Sequence, residues 1–351
     1  MIVLYANDKD NNELTQVFDP LDFSCSQRLN DYDEVVLTYS SKNKNLTYDN
    51  IKEYNRARVT TEKNHNNVKT FVDWVVKSVS TDSQYTKVVV RSLEYVLSKK
   101  IVIADKSYTN KSVHYIVDDL LDEVNGREDT GITAHADCST ETLDLEVKKG
   151  TNILQILKTM TGRGYVFKVI DGEVLMDSEI GEDRTIGDNY YLFKRDVTDS
   201  NDRNILDWSI SYDADTIVNC VIHKDEATFD TDATSITDFG RIEQVVVNDL
   251  DASWTTTAIL ANQKQSTSQV DVQPYVDDFF FSELGDKVAI QIDGGGDIAK
   301  YTGDSVVMEK TVSWLWLIDV TARLSTNTVY TPTLIEQIKE WVARVGRLEL
   351  Q

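Results

Sequence analysis

Proline, cysteine and histidine are all scarce in this chain, and each shortage excludes something. Three prolines in 351 residues, with no Pro- or Ser-rich tract, leave no flexible tether, so the domains are expected to be interwoven rather than strung on linkers. The three cysteines, Cys25, Cys138 and Cys220, are isolated and odd in number. Without a CxxC or Cys/His cluster they support neither a disulfide framework nor a zinc site, and read as small buried residues of a protein made in a reducing cytosol. The four histidines, His65, His114, His135 and His223, are too widely separated to converge as ligands. No metal and no cofactor are expected. No apolar run reaches the length of a membrane span, and MIVLYANDKD has no basic region before its short apolar run, so no membrane segment or signal peptide is expected.

Positive charge is in deficit too: 36 Lys and Arg against 59 Asp and Glu give a net charge of −23. A phosphate backbone needs cations to neutralise it, so stable nucleic-acid binding is not expected. Such acidity keeps a soluble surface apart by repulsion. It also suits a channel through which an anionic polymer passes without sticking. Adaptation to high salt is a third explanation, though Lys remains common.

What the chain does have is Tyr, Thr and Val in abundance, which favours strands. Around SITDFGRIEQ, Ser235 to Gln244, Phe239-Gly240 reads as a bend before an alternating run. Gly285-Asp286 reads as a turn opening a strand with Val288, Ile290 and Ile292 on one face. Residues 1–100 read as strands: Val35, Leu37 and Tyr39 share a face, and Arg56–Thr60 with Phe71–Val79 form a hairpin around Lys63–Asn67. KVVVRSLEYVLSKKIV gives a strand and a short helical turn, Leu93 to Leu97. Lys99-Lys100 then reads as a solvated edge rather than an anion site.

From residue 101 the period changes from 2 to 3.6. Ser112 caps a helix whose buried face is Val113, Ile116, Val117, Leu120, Leu121 and Val124, stopped by Asn125-Gly126. Asn152 caps a second, with Ile153, Leu154, Ile156, Leu157 and Met160 inward and Gly162 and Gly164 at its end. A hairpin follows, turning at Asp171-Gly172. Gly162-Arg163-Gly164 lacks the strand-first context and the Lys-Ser/Thr of a phosphate loop. Glu182-Asp183-Arg184 has no nucleophile or cleft pattern beside it, so no enzyme is expected.

Strands return at Asn204, with Ile205, Trp208, Ile210 and Tyr212 alternating, then Ile217, Cys220 and Ile222. Residues 252–269 read as a helix. Phe279–Phe281, Lys287–Ile292 and Ser305–Lys310 read as strands around a mobile turn at Gly294-Gly295-Gly296, and Val312, Trp314, Trp316 and Ile318 share the face of a last strand. Pro332 opens a terminal helix in which Ile335, Ile338, Val342 and Val345 form a 3-4-3 seam. Two heptads are too short for a free coiled coil. The seam either packs on its own domain or meets symmetry mates at a subunit contact.

The expected architecture is mainly β with an α+β insertion. Residues 1–100, completed by 203–225, make a first barrel. Residues 101–202 make an inserted α/β module of helices and a hairpin, 226–330 a second barrel, and 331–351 a C-terminal helix.

Several segments, in this order, resemble the tail-hub and baseplate-hub proteins of tailed phages: RSLEYVLSKKIV, GTNILQILKTMTGRGYVFKVIDGEVLMD, GEDRT at 181–185, NILDWSISYDADTIVNCVIH with its central Asn219, SITDFGRIE, LGDKV and ARVGRLE. The resemblance spans nearly the whole chain. It implies two barrels that each resemble a tail-tube subunit, and a homotrimer forming a pseudo-sixfold ring. That ring would meet a hexamer of tail-tube or distal tail protein, with receptor-binding or fibre proteins and a tape-measure protein as further partners, and DNA would pass through unbound. The location implied is the virion tail tip, after assembly in the host cytoplasm. Lysin-bearing members have a peptidase or muramidase extension that does not follow the terminal helix here, so lytic activity is not expected. The alternative is a receptor- or carbohydrate-binding tail protein, with Trp254, Trp314, Trp316 and Trp341 stacking on sugars.

Overall fold

The computed structural model describes residues 2–8, 12–18, 20–63, 67–187, 190–196, 203–213, 217–223, 229–246, 267–275, 282–294, 300–315 and 319–327. The chain is mainly β. Strands β1 (Ile2–Asn7), β2 (Glu13–Phe18), β3 (Asp22–Arg28) and β4 (Glu34–Ser40) precede a short helix, α1 (Tyr48–Ile51). Strands β5 (Arg56–Lys63), β6 (Asn67–Thr81) and β7 (Tyr85–Arg91) then lead to the single turn α2 (Glu94–Leu97). Alternation decides which side faces inward: Val35, Leu37 and Tyr39 on β4 are all buried, as are Ile2, Leu4 and Ala6 on β1. The expected hairpin is present, with β5 and β6 antiparallel; the tip at 64–66 lies outside the described residues.

The next segment is helical where the period is helical. Strand β8 (Lys106–Ser112) runs into α3 (Val113–Asn125), and β9 (Thr133–Ala134) and β10 (Thr142–Val147) precede α4 (Ile153–Thr161). Ser112 Oγ accepts from Tyr115 N–H and Asn152 Oδ1 from Gln155 N–H, so both expected caps are made. All the apolar positions named for the two helices are buried. The hairpin β11 (Val166–Ile170) and β12 (Glu173–Asp177) turns at Asp171 (φ 49°) and Gly172 (φ 86°), the two positive φ values a tight two-residue hairpin turn requires.

The second half consists of β13 (Leu192–Asp196), β14 (Ile205–Asp213), β15 (Cys220–His223), β16 (Phe229–Thr231), α5 (Ala233–Phe239), β17 (Glu243–Val246), β18 (Thr267–Pro274), β19 (Lys287–Asp293), β20 (Lys300–Leu315) and β21 (Asp319–Asn327). The bend at Gly240 (φ 78°) is as expected, but the residues before it are helical: Asp232 caps α5 by accepting from Ser235 N–H. Val288, Ile290 and Ile292 on β19 point inward together.

Pairing runs through both halves as one thirteen-stranded sheet, in the order β14-β18-β21-β20-β3-β4-β7-β6-β5-β1-β2, with β19 and β13 branching from β20. The two halves meet where β3 pairs with β20, from Asp22 opposite Leu315 to Arg28 opposite Glu309. One apolar core serves both, from Ile2 and Leu37 to Ile290 and Leu324; a second fills the inserted module.

Three expected boundaries need correction. Residues 203–225 do not complete the first half: β14 pairs with β18, and β15 belongs to a separate three-stranded sheet with β16 and β17. An alternating strand has no mark in its sequence for the partner it will choose. The inserted module's own core ends at Met176, and β13 instead runs parallel to β19 of the second half. Thr267–Gln269, expected at the end of a helix, begin β18. The rest of that helix, Phe279–Phe281 and the terminal helix 331–351 lie outside the described residues.

Candidate functional site

Among the described residues, three polar joints hold distant segments of the chain together, and a cleft opens between two of them. The first joint brings together GEDRT and LGDKV, two segments about a hundred residues apart. Gly181 (φ 102°) and Gly285 (φ 88°) cross in contact; a Cβ on Gly285 would stand 2.0 Å from the Ile180 carbonyl oxygen. Only glycine permits both the backbone angle and the approach. Beside the crossing, Asp286 is 1% exposed. Its carboxylate accepts from Glu182 N–H and Glu283 N–H, each at 2.8 Å, and from Arg184 Nε at 2.5 Å. Lys287 N–H donates to Glu182 O at 3.0 Å and Arg184 N–H to Lys287 O at 2.8 Å, which starts the parallel pairing that β13 continues. The charged run Glu182-Asp183-Arg184 is thus a clamp on the second half.

The second joint holds the inserted module against the first half through the loop after β3. Asn30, buried at φ 65°, donates its N–H to Phe167 O at 3.1 Å and accepts from Phe167 N–H at 2.7 Å. Lys158 Nζ lies 2.9 Å from Asp31 Oδ2. Below them the Lys168 ammonium sits 2.6 Å from Asp33 Oδ1 and 3.7 Å from Glu94 Oε1, with both carboxylates buried and the lysine largely so. Glu94 Oε1 also accepts from Val169 N–H at 2.9 Å, and Asp33 N–H donates to Ser92 Oγ at 2.8 Å. Burial pushes the Glu94 carboxyl up, and the Lys168 ammonium offsets only part of that. Burial acts to lower Lys168, but Asp33 and Glu94 outweigh it and hold the ammonium above its ordinary range.

The third joint is Asn219, fully buried. Its Nδ2 donates to Gly240 O at 2.7 Å and Ser235 Oγ at 3.3 Å, and its Oδ1 accepts from Ile242 N–H at 2.7 Å. Asn219 thereby locks the bend after α5 onto β15.

Between the first two joints lies a cleft of about 470 Å³. Its floor includes Leu29, Tyr165, Ile180, Val306 and Met308, and its rim carries Glu179, Glu182, Asp183, Asp304 and Lys287. No reacting pair is assembled here.

Sequence reasoning located the segments but not their meetings. Neither Asn30, Asp33 and Lys168 nor the pairing of Asp286 with Arg184 carries a local pattern. The one usable signal was glycine next to a charged residue, in Gly181-Glu182 and Gly285-Asp286. Of the lysine pair, Lys100 bonds Glu128 at 2.5 Å and Lys99 lies 5.1 Å from the Tyr95 ring centre. The proposed contact residues Ile335, Ile338, Val342 and Val345 lie outside the described residues, as do Trp254, Trp316 and Trp341. Among the described residues no group of three or more potential metal ligands converges. No described helix is long and apolar enough to cross a membrane.

No protein-family model matches the chain, and no curated protein matches it. Solved structures do. A tail protein from Neisseria meningitidis is 13% identical, with a TM-score of 0.63 over 93% of this chain and 95% of that one. A 43 kDa tail protein of prophage MuSo2 from Shewanella oneidensis is 13% identical, with a TM-score of 0.62 over 93% and 96%. Prophage tail protein gp18 from Listeria monocytogenes is 13% identical, with a TM-score of 0.60 over 99% of both. The chain therefore has the fold of these phage tail proteins.

Proposed function

We propose that this chain is a structural subunit of a phage tail, acting as the hub at the tail tip or baseplate. The observation that carries this reading is extent: the likeness runs over 99% of both chains for the Listeria prophage protein. It takes in sheet and inserted module together rather than one common domain. The order of the resembling segments supports it as well, and those segments supply one or both sides of each joint just described.

In this reading three copies close a ring. A threefold ring of chains with two strand-rich halves presents six similar units, which is what docking to a sixfold tube demands. Each contact is heterologous, and the ring closes because the rotation does. The net charge of −23 then falls partly on the wall of the central passage, where carboxylates repel phosphate and let DNA slide through. The work is mechanical and electrostatic, and no chemical step is assigned.

Light scattering on the purified chain and electron microscopy of particles containing it test this. The expected result is a threefold ring at the tail tip. A chain that stays monomeric at high concentration and is absent from assembled rings overturns it. A ring whose lumen is lined by Lys and Arg overturns only the electrostatic part.

A further inference from the structure

The cleft between the inserted module and the second half takes no part in the fold's own closure. Its two walls are set by the crossing at Gly181 and Gly285 and by the Asn30–Phe167 bonds, so it is formed in advance. Its size falls within the ~300–1,000 Å³ typical of ligand sites. An apolar floor is closed in by a rim of four carboxylates and one lysine. Over the whole chain acids outnumber bases only 59 to 36, so the rim is more acidic than the surface at large. The lysine is already engaged: Lys287 Nζ lies 3.8 Å from Asp183 and 3.7 Å from Asp304. Arg184 Nη2 also lies 3.3 Å from Glu182; against four carboxylates these two cations leave the rim net negative, an excess that cations from outside would meet.

We propose that the cleft seats an extended, cationic segment of a neighbouring protein subunit. One large apolar side chain of the segment enters against Val306 and Met308. Lys or Arg residues on either side of it meet Glu179 and Asp304. Charge complementarity of this kind selects the partner and raises the rate of encounter, and the buried apolar side chain slows release. The inference rests on the tail-subunit reading only in taking the partner to be another subunit.

The test uses the full chain and three labelled peptide probes: Gly-Arg-Leu-Phe-Arg-Gly, its charge-reversed form Gly-Glu-Leu-Phe-Glu-Gly, and Gly-Arg-Ser-Gly-Arg-Gly. Fluorescence polarisation is expected to show the first binding at least about tenfold tighter than either of the others. Its affinity should fall as salt rises from about 0.05 to about 0.5 M. Glu179→Lys with Asp304→Lys, both at exposed positions, should weaken the first probe at least about tenfold. Met308→Ala should weaken it too, without changing the salt dependence. Equal binding of the charge-reversed probe, no binding of the first, or indifference to the paired lysine substitution overturns the proposal. Light scattering on the same samples keeps the two ideas apart. A ring that forms without probe binding removes the cleft proposal alone, and specific binding by a chain that never forms rings removes the hub alone.

Discussion

Replacing Gly285 by alanine tests whether the crossing of GEDRT and LGDKV organises the second half. Two penalties combine there. Forcing a side chain to φ 88° costs about 1–2 kcal/mol. The new Cβ would also stand 2.0 Å from the Ile180 carbonyl oxygen, so the two backbones must open by about 1.4 Å to reach an ordinary 3.4 Å contact. An opening of that size breaks the Lys287 N–H bond to Glu182 O and the Glu182 N–H bond to the Asp286 carboxylate. Each such bond is worth about 1–2 kcal/mol. The expected cost is therefore about 3–6 kcal/mol. Gly164 is the matched control, with φ 89° and nothing within 4 Å of an added Cβ, so Gly164→Ala should cost only the strain of about 1–2 kcal/mol. Chemical denaturation of both variants reads the difference directly, and a thermal scan should separate them by at least about 4 °C. Amide exchange at Lys287 should quicken in the first variant alone. Variants within about 1 kcal/mol of each other would refute the close-approach reasoning.

Three further outcomes follow from the joints and the proposed ring. Asn219→Ala removes the part-buried bonds to Ile242 N–H and Gly240 O, and should cost about 1–3 kcal/mol by denaturant titration. Glu94 has a raised folded pKa, so its contribution is fully present below its unfolded value of about 4.3 and is lost as pH rises through the folded value. Glu94→Gln, which mimics the protonated form, should therefore gain on the wild type as pH rises from about 4 to 8; a constant gap would sink the assignment. Val342→Asp with Val345→Asp should weaken the proposed trimer in light scattering while circular dichroism of the sheet is unchanged, and an unaffected trimer would remove the seam from the interface.

The elements were legible where a period and its punctuation agree. Ser112 and Asn152 stand before helical periods and Asp171-Gly172 between two alternating runs, and each did what its chemistry dictates. Partners were not legible. Trp208, Ile210 and Tyr212 alternate equally well whether β14 pairs with the first half or with β18, because period sets the face and not the neighbour. The joints were hidden for a related reason. Lys168 sits in an ordinary hairpin strand, and only the approach of Asp33 and Glu94 from 135 and 74 positions away makes it a buried ion site. The helix α5 was missed because its cap, Asp232, precedes only seven residues, in which Ala233, Ile236 and Phe239 are too few to set a period.

Most of the described segments that resemble tail hubs contribute a polar group to one of the joints. Glu94 lies in RSLEYVLSKKIV, Lys168 in the helix-and-hairpin segment, Arg184 in GEDRT, Asp286 in LGDKV, and Asn219 meets Ser235 and Gly240 of SITDFGRIE. An apolar position accepts Val, Ile or Leu with small loss, so core sequences can drift while the fold stays. A buried carboxylate or amide admits almost no substitute, because removing one partner strands the other without water. Segments that hold such groups are therefore expected to change more slowly than the strands around them. The same chemistry suits the proposed task. Apolar faces slide over one another at little cost, whereas the Asp33–Lys168 pair and the Asp286 clamp are satisfied in a single geometry. A subunit that must present the same face to a tube three times over needs its module held at one angle, and hydrogen-bonded charges at the joints supply that.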